Sequence, residues 1–260
     1  MHRFQDSPVL LAMSCWALVN IALAPEQKAA LVKLGGIQAT TNAMKRHPFS
    51  AEVQFRALFA LINLVIHSVK METRNDEAQV NAQEVGDAPA AVADPVARAP
   101  DADAMEEDLS ESSDATEKAV IDEMVGDITR LVVHAMKNFC SSEAILNRAC
   151  LVLHNLSLTD DYHGTLLWTP QCYQMLEWCI QNYRTDQVLQ QSATGTLHRL
   201  QLTLSQNENM RTRFSESLRS QQQLAIEQAK NEARRLNAQQ EALLANAREA
   251  AAEAAATVSS

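Results

Sequence analysis

The sequence predicts an all-α fold in which short helical repeats stack into one continuous array. The chain has 260 residues but only six glycines and seven prolines, so few helix breakers interrupt it. The segment 43–64 recurs at 135–156 without a gap. Within both segments, apolar residues follow one another at the three- and four-residue steps of an amphipathic helix. One such unit cannot cover its own apolar face, so neighbouring units must share a core.

The repeat has four recognisable copies. Nine residues of the first segment recur at an offset of 92: Ala43, Met44, Lys45, Ser50, Arg56, Ala57, Leu61, Asn63 and Leu64. A fainter copy, ending in Trp16-Ala-Leu-Val-Asn20, lies 43 residues earlier, and another, ending at Arg199, lies 44 residues after Asn155. Intervals of 43 and 44 are typical of repeats with two or three helices. The offset of 92 is then one repeat plus about 49 inserted residues.

Local signals predict where the helices begin and end. A turn signal with a candidate N-cap serine precedes each long helix: Asp6-Ser7-Pro8, His47-Pro48-Phe49-Ser50 and Ser141-Ser142. Breaks between shorter helices are predicted at Gly35-Gly36, Gly126-Asp127 and Thr169-Pro170.

Two further segments differ from the repeats. Residues 72–117 contain fourteen Asp or Glu, two Arg and no aromatic residue, a net charge of −12 within a chain of −10. Such a segment buries too little apolar surface to offset its ordering entropy, so we predict disorder. Residues 215–260 are rich in Ala and Gln and lack Gly and Pro, which predicts one long helix. It is interpreted as a solvated helix, a weak coiled coil or a membrane-surface helix.

These residues carry a family resemblance. The run from Pro25 to Ile37, then Ala43-Met-Lys and Val53 to Leu64, resembles the armadillo repeat: a short helix, GGI, a second helix, and a third ending in ALxNL. Trp16 and Asn20 are similar to the Trp/Asn pair of importin alpha. The resemblance covers roughly 7–71 and 118–204, and it implies a right-handed armadillo-like α-solenoid. The array then occupies 1–71, with a truncated first repeat, and continues through 118–214.

The same resemblance implies a peptide groove lined by the third helices. Residues four and seven apart share a helix face, and asparagine amides there could bond the backbone of an extended peptide. The predicted groove residues are Trp16, Asn20, Arg56, Phe59, Asn63, Arg148, Asn155 and Arg199. The alternative interpretation is that the asparagines cap interhelical carbonyls. The three arginines suggest an acidic partner segment, and the acidic insert 72–117 could itself compete for the groove.

The predicted function is therefore a protein-binding scaffold and not an enzyme. The alternative is a structural subunit of a homo-oligomer, assembled through the open N-terminal end and the C-terminal helix. His154 and His198 occupy a repeat position that Val19 and Ile62 fill elsewhere, which favours packing over catalysis. No cofactor or metal is expected, because no phosphate-binding glycine loop or paired-cysteine motif is present.

Charge and cysteine usage limit the partners and the compartment. An acidic chain is a poor match for nucleic acid, whose backbone needs clustered Lys and Arg. No membrane partner is expected, although the apolar run 9–24 leaves a secretory signal open. The five unpaired-looking cysteines are typical of reduced thiols and predict a cytoplasmic protein, with a nuclear one possible.

Overall fold

The structure is a computed structural model that describes residues 1, 5–65 and 103–258, with side chains described for 1, 5–65 and 118–247. In these ranges the regular structure is entirely helical, which confirms the predicted all-α class. Apart from a short 3-10 turn, the helices are α1 (Pro8–Ile21), α2 (Pro25–Lys33), α3 (Gly36–Arg46), α4 (51–65), α5 (Asp103–Asn138), α6 (Glu143–Leu156), α7 (His163–Trp168), α8 (Cys172–Asn182), α9 (Gln187–Gln206) and α10 (Glu208–Val258).

The chain divides into two compact units, Met1–Thr203 and Leu204–Ser260. In the first unit, α3 packs against α1, α2 and α5, and α5 packs against α6, α7 and α8. The second unit consists of the end of α9 and α10. Side chains 222–247 of α10 are all exposed, so this helix depends on the intrinsic propensity of its residues within its own unit. It matches the predicted long helix over residues 215–258 but begins earlier, at Glu208, and residues 259–260 lie outside the described residues.

One predicted break and one predicted helix start follow from clear local chemistry. Gly35 has a φ of 80°, in the left-handed region that favours glycine. A Cβ on Gly36 would lie 2.8 Å from the carbonyl oxygen of Leu31, so a side chain cannot be fitted there without moving the backbone. At the start of α1, Ser7 caps the helix by accepting a hydrogen bond from the Leu10 amide, and Pro8 occupies the first turn.

The prediction of a break at Gly126-Asp127 is wrong, because α5 runs through both residues without interruption. A glycine inside a helix costs only about 1 kcal/mol relative to alanine, which the packing of buried Val125 and Ile128 offsets. A Cβ at Gly126 would lie 3.7 Å from Cγ2 of Thr165, so α7 packs closely at this point.

The predicted disordered segment 72–117 is only partly described. Helix α5 begins at Asp103, so residues 103–117 are helical where disorder was predicted. Their sequence lacks Gly and Pro, the two residues that most disfavour a helix interior. The remainder of the segment, residues 72–102, lies outside the described residues, as does any contact it makes with a groove.

The repeat seen in the sequence is reproduced in the burial of side chains. Residues related by the offset of 92 are buried to the same degree, at 0 or 1% exposure, in four pairs: Ala43 and Ala135, Met44 and Met136, Ala57 and Ala149, and Leu61 and Leu153. The third helices of the four copies are α1, α4, α6 and α9. These four positions are therefore equivalently buried in successive copies, two of them on α3 and α5 and two on α4 and α6.

Candidate functional site

Three of these helices contribute to a cluster in which two aromatic rings are in contact and an arginine lies over each ring. The rings of Trp16 on α1 and Phe59 on α4 are 5.9 Å apart, tilted by 51°. The guanidinium carbon of Arg56 lies 4.6 Å from the Trp16 ring centroid. That of Arg148, on α6, lies 4.6 Å from the Phe59 ring centroid. We call Trp16, Arg56, Phe59 and Arg148 the arginine–aromatic stack.

The contacts within the stack recur at the interval of the sequence repeat. Arg56 and Arg148 are equivalent at the offset of 92, and each lies over the aromatic ring of the preceding copy. At the next step of the repeat, Leu151 on α6 stands in place of the aromatic ring and Ser192 on α9 stands in place of the arginine, so the series of cation–π contacts ends at α6. The structure thus brings together four of the eight predicted groove residues.

Arg148 is the most desolvated cation of the stack. Its guanidinium also lies 4.3 Å from the ring of Phe55, so it is held between two phenylalanines. Its Nε is buried without a hydrogen-bond partner among the described residues. Burial lowers the pKa of Arg148 from its ordinary value. The residue as a whole is half-buried, and a guanidinium is a favourable contact for an anionic group of a ligand.

Arg56 is half-buried and already has an anionic partner. Its Nε donates to Oε1 of Glu52 at 2.7 Å, an ion pair one helical turn away on α4. Trp16 remains 40% exposed beside it. A cleft of about 400 Å³ adjoins both residues and is lined by Pro8, Val9, Ala12, Met13, Trp16, Ser50, Glu52 and Arg56. Most of the lining of this cleft is apolar, and it also includes the Glu52–Arg56 ion pair.

The predicted asparagine ladder is not uniform. Asn155 is 5% exposed, and its Nδ2 donates to the backbone carbonyl of Ile62 at 3.3 Å. Asn155 therefore caps an interhelical carbonyl, as the alternative interpretation of the asparagines predicts. Asn20 is exposed and Asn63 is half-buried, so these two amides remain accessible.

Arg199, the last predicted groove residue, is engaged elsewhere. Its Nη1 lies 3.4 Å from both Nδ1 of His154 and Oγ of Ser157, which joins α9 to the end of α6. Burial, and then the charge of Arg199, lower the pKa of His154. A Cβ at Gly195 would lie 3.2 Å from the His154 ring, so glycine permits this close packing. Arg199 thus lies on α9, the third helix of the last copy, but is not part of the arginine–aromatic stack.

Sequence reasoning missed the hydrogen bonds that join successive copies. A side chain at the end of each second helix reaches a carbonyl in the turn of the preceding copy. His47 Nε2 donates to Gln5 O at 2.8 Å, Asn138 Nδ2 to Pro48 O at 3.1 Å, and Tyr183 Oη to Cys140 O at 2.6 Å. The three acceptors are equivalent in the repeat register. The bond from Asn138 to Pro48 spans the insertion.

A second missed feature is a pair of equivalent glutamines. Gln54 Nε2 donates to Met44 O and His47 O, and Gln190 Nε2 donates to Ile180 O and Tyr183 O. The last carbonyls of a helix lack intrahelical donors. Each glutamine therefore caps the end of the helix that precedes its own. The recurrence of Gln at these two positions was the available signal, but the intermediate copy carries Leu146.

The described residues contain little that could perform nucleophilic chemistry. All five cysteines are free thiols, and only Cys140 is exposed. Burial raises the pKa of Cys15 and of Cys172 to about 12, so both remain protonated at neutral pH. His163 is 3% exposed and bonded on both ring nitrogens, to Thr203 and to the carbonyl of Ser157. These contacts assign it a packing role.

In comparisons with known proteins, no family model and no curated protein matches this chain. Within the described part of the chain, no group of three or more His, Cys, Asp or Glu side chains is placed to hold a metal ion. A search of the described helices finds none with the length and apolarity needed to cross a membrane. What the chain can bind must therefore follow from the geometry of its surfaces.

Proposed function

We propose that this chain is an armadillo-like scaffold, a right-handed α-solenoid that binds an extended segment of a partner protein along α1, α4 and α6. The solenoid is supported by the equivalent bonds from each copy to the one before it, including the bond from Asn138 to Pro48 across the insertion. We assign it no catalytic reaction. Its free and mostly buried thiols are compatible with the cytoplasmic or nuclear setting that we propose.

The arginine–aromatic stack is the observation that supports peptide binding. Phe59 contacts both Trp16 and Arg148: its ring lies 5.9 Å from the Trp16 ring and 4.6 Å from the Arg148 guanidinium. Together these separations place Trp16 and Arg148 at most about three residues of an extended chain apart, at roughly 3.3 Å each. A short linear segment could contact both residues at once.

The chemistry of Trp16 and Arg148 defines the segment. The cleft beside Trp16 is lined by Val9 and Met13, which favour an apolar side chain of the ligand. Arg148 favours a carboxylate or phosphate, because its guanidinium is cationic and only half-buried. We therefore propose an apolar residue and an acidic residue about three positions apart. Asn20 and Asn63 are accessible for bonds to the peptide backbone.

Selection from a display library of random linear peptides tests the proposal. The enriched peptides should carry an acidic residue close to an apolar one. Their affinity should fall by about tenfold or more in Trp16→Ala and in Arg148→Met, each of which removes one of the two proposed contacts. Trp168→Ala is the matched control, because Trp168 is 41% exposed against 40% for Trp16 but lies on α7. If no peptide is enriched, or if binding survives both substitutions, the proposal is wrong.

A further inference from the structure

One face of α1 is exposed where its equivalents are buried. Leu10 is 42% exposed, whereas Val53, Ile145 and Leu189 at the same repeat position are at most 2% exposed. The pattern repeats at two further positions, where Ala17 and Ile21 are exposed but Ala60, Val152, Thr196, Leu64, Leu156 and Leu200 are at most 1% exposed. We call Leu10, Ala17 and Ile21 the end face. It is distinct from the face that carries Trp16.

The other copies indicate what covers this face. In each of them the third helix packs on the second helix that precedes it. Helix α6 packs against α5. Helices α4 and α9 are bonded to the ends of α3 and α8 through Gln54 and Gln190. The equivalent of these second helices is therefore the natural occupant of the end face on α1.

A cleft lies where such a helix would continue the row formed by α3, α5 and α8. It measures about 390 Å³ and is lined by Leu11 of α1, by Ala39, Asn42, Ala43, Lys45 and Arg46 of α3, and by Met1 and Gln5. On α5, Asp127 and Asn138 bond to the preceding copy, at Lys45 and Pro48. The corresponding line on α3, at the offset of 92, is Gly35, Ala39, Asn42 and Arg46. The cleft therefore lies on the face of α3 that is equivalent to the face of α5 in contact with the preceding copy.

We propose that the end face and this cleft form a slot for an amphipathic helix supplied by a partner protein. The slot continues the interface between successive copies, so the helices already in that interface define its ligand. Such a helix is about eleven residues long, as α3 and α8 are, and carries one apolar stripe. On α5 that stripe is Ile128, Val132, Ala135 and Met136, each at most 1% exposed. The mode is helix-in-groove binding at the end of the array.

A peptide with the sequence of residues 124–139, labelled with fluorescein, is the probe. It should bind the full chain with saturable fluorescence anisotropy. The same peptide with Val132→Asp and Met136→Asp should bind at least about tenfold more weakly, because it lacks the apolar stripe. On the full chain, Leu10→Glu should weaken binding by a similar factor. Leu10 is exposed in the isolated chain, so this substitution should leave the fold intact, which circular dichroism checks.

Leu158→Glu is the matched control, because Leu158 is 49% exposed but lies in another copy. Absence of binding, or binding that is unaffected by Leu10→Glu, overturns the proposal. So does a concentration-dependent dimer in sedimentation that Leu10→Glu abolishes, because it identifies a second copy of this chain as the occupant. The test uses a helical probe and the end face, so its outcome is independent of extended-peptide binding at the stack.

Discussion

Helices α1 and α4 hold the same position in successive copies of the repeat, but their side chains have different surroundings. Ile21 near the end of α1 is 42% exposed, whereas the equivalent Leu64 on α4 is fully buried. Both helices are apolar enough to be buried on several faces. The difference therefore comes from their neighbours, since α4 has a second helix before it and the end face of α1 is exposed to solvent.

The largest effect should come from truncating this pair of residues. Leu64→Ala removes a fully buried side chain and should lower the free energy of unfolding by about 2–5 kcal/mol. Ile21→Ala should cost about 1 kcal/mol or less, because much of its surface is already in water. Urea denaturation of the purified chain measures both. Equal losses would mean that the end face of α1 is covered in solution.

A smaller effect is expected at the glutamines that cap the preceding helix. Gln54→Ala leaves the carbonyls of Met44 and His47 without their side-chain donor, which should cost about 1–3 kcal/mol. Gln190→Ala should act in the same direction on α8. Helix α1 carries Leu11 at this position and has no such cap. Gln27→Ala, at an exposed position of α2, is the control in thermal denaturation and should change little.

The smallest effect concerns the ion pair between Lys45 on α3 and Asp127 on α5. Hydrogen bonds from Lys45, and then from Arg130, lower the pKa of the Asp127 carboxyl. A lowered pKa stabilises the fold above the carboxyl's unfolded pKa of about 3.9, and this contribution is lost as pH falls through the folded value. Both side chains are more than one third exposed, so screening limits the contribution to less than about 1 kcal/mol.

Asp127→Asn therefore should destabilise the chain slightly at pH 7, and the difference from the native sequence should shrink toward zero in strong acid. Glu123→Gln, one turn earlier and exposed, provides the comparison. Denaturation curves at both pH values decide the matter. A difference that persists or grows in acid would contradict an electrostatic origin.

Much of the fold could be predicted from local patterns. The helical class, the capped start of α1 at Ser7 and the turn at Gly35 each depend on residues close together in sequence. The break predicted at Gly126 failed because propensity is a weak preference that tertiary packing overrides. Helix formation from Asp103 was not predicted, although residues 103–117 contain neither Gly nor Pro, because their low apolar content is typical of disorder.

For the candidate site, the sequence predicted which helix faces carry the residues but not the contacts between them. The periodicity placed Trp16, Phe59 and Arg148 on equivalent sides of three helices. It could not show that Arg148 lies between two rings, or that Asn155 is buried against Ile62, while Asn20 remains exposed. Those outcomes depend on the distance between helices, which the sequence of one helix does not contain.

By itself, the sequence determined the helical periods, the repeat register and the residue type offered at each repeat position. Only the tertiary structure decided which of those residues are covered. Leu10 and Val53 satisfy the same pattern, yet one faces solvent and the other faces neighbouring helices. The physical reason is that an apolar side chain is buried only when a second surface packs against it. The sequence of one helix specifies the first surface, and the hydrophobic effect stabilises the fold only when the second surface is in contact with it.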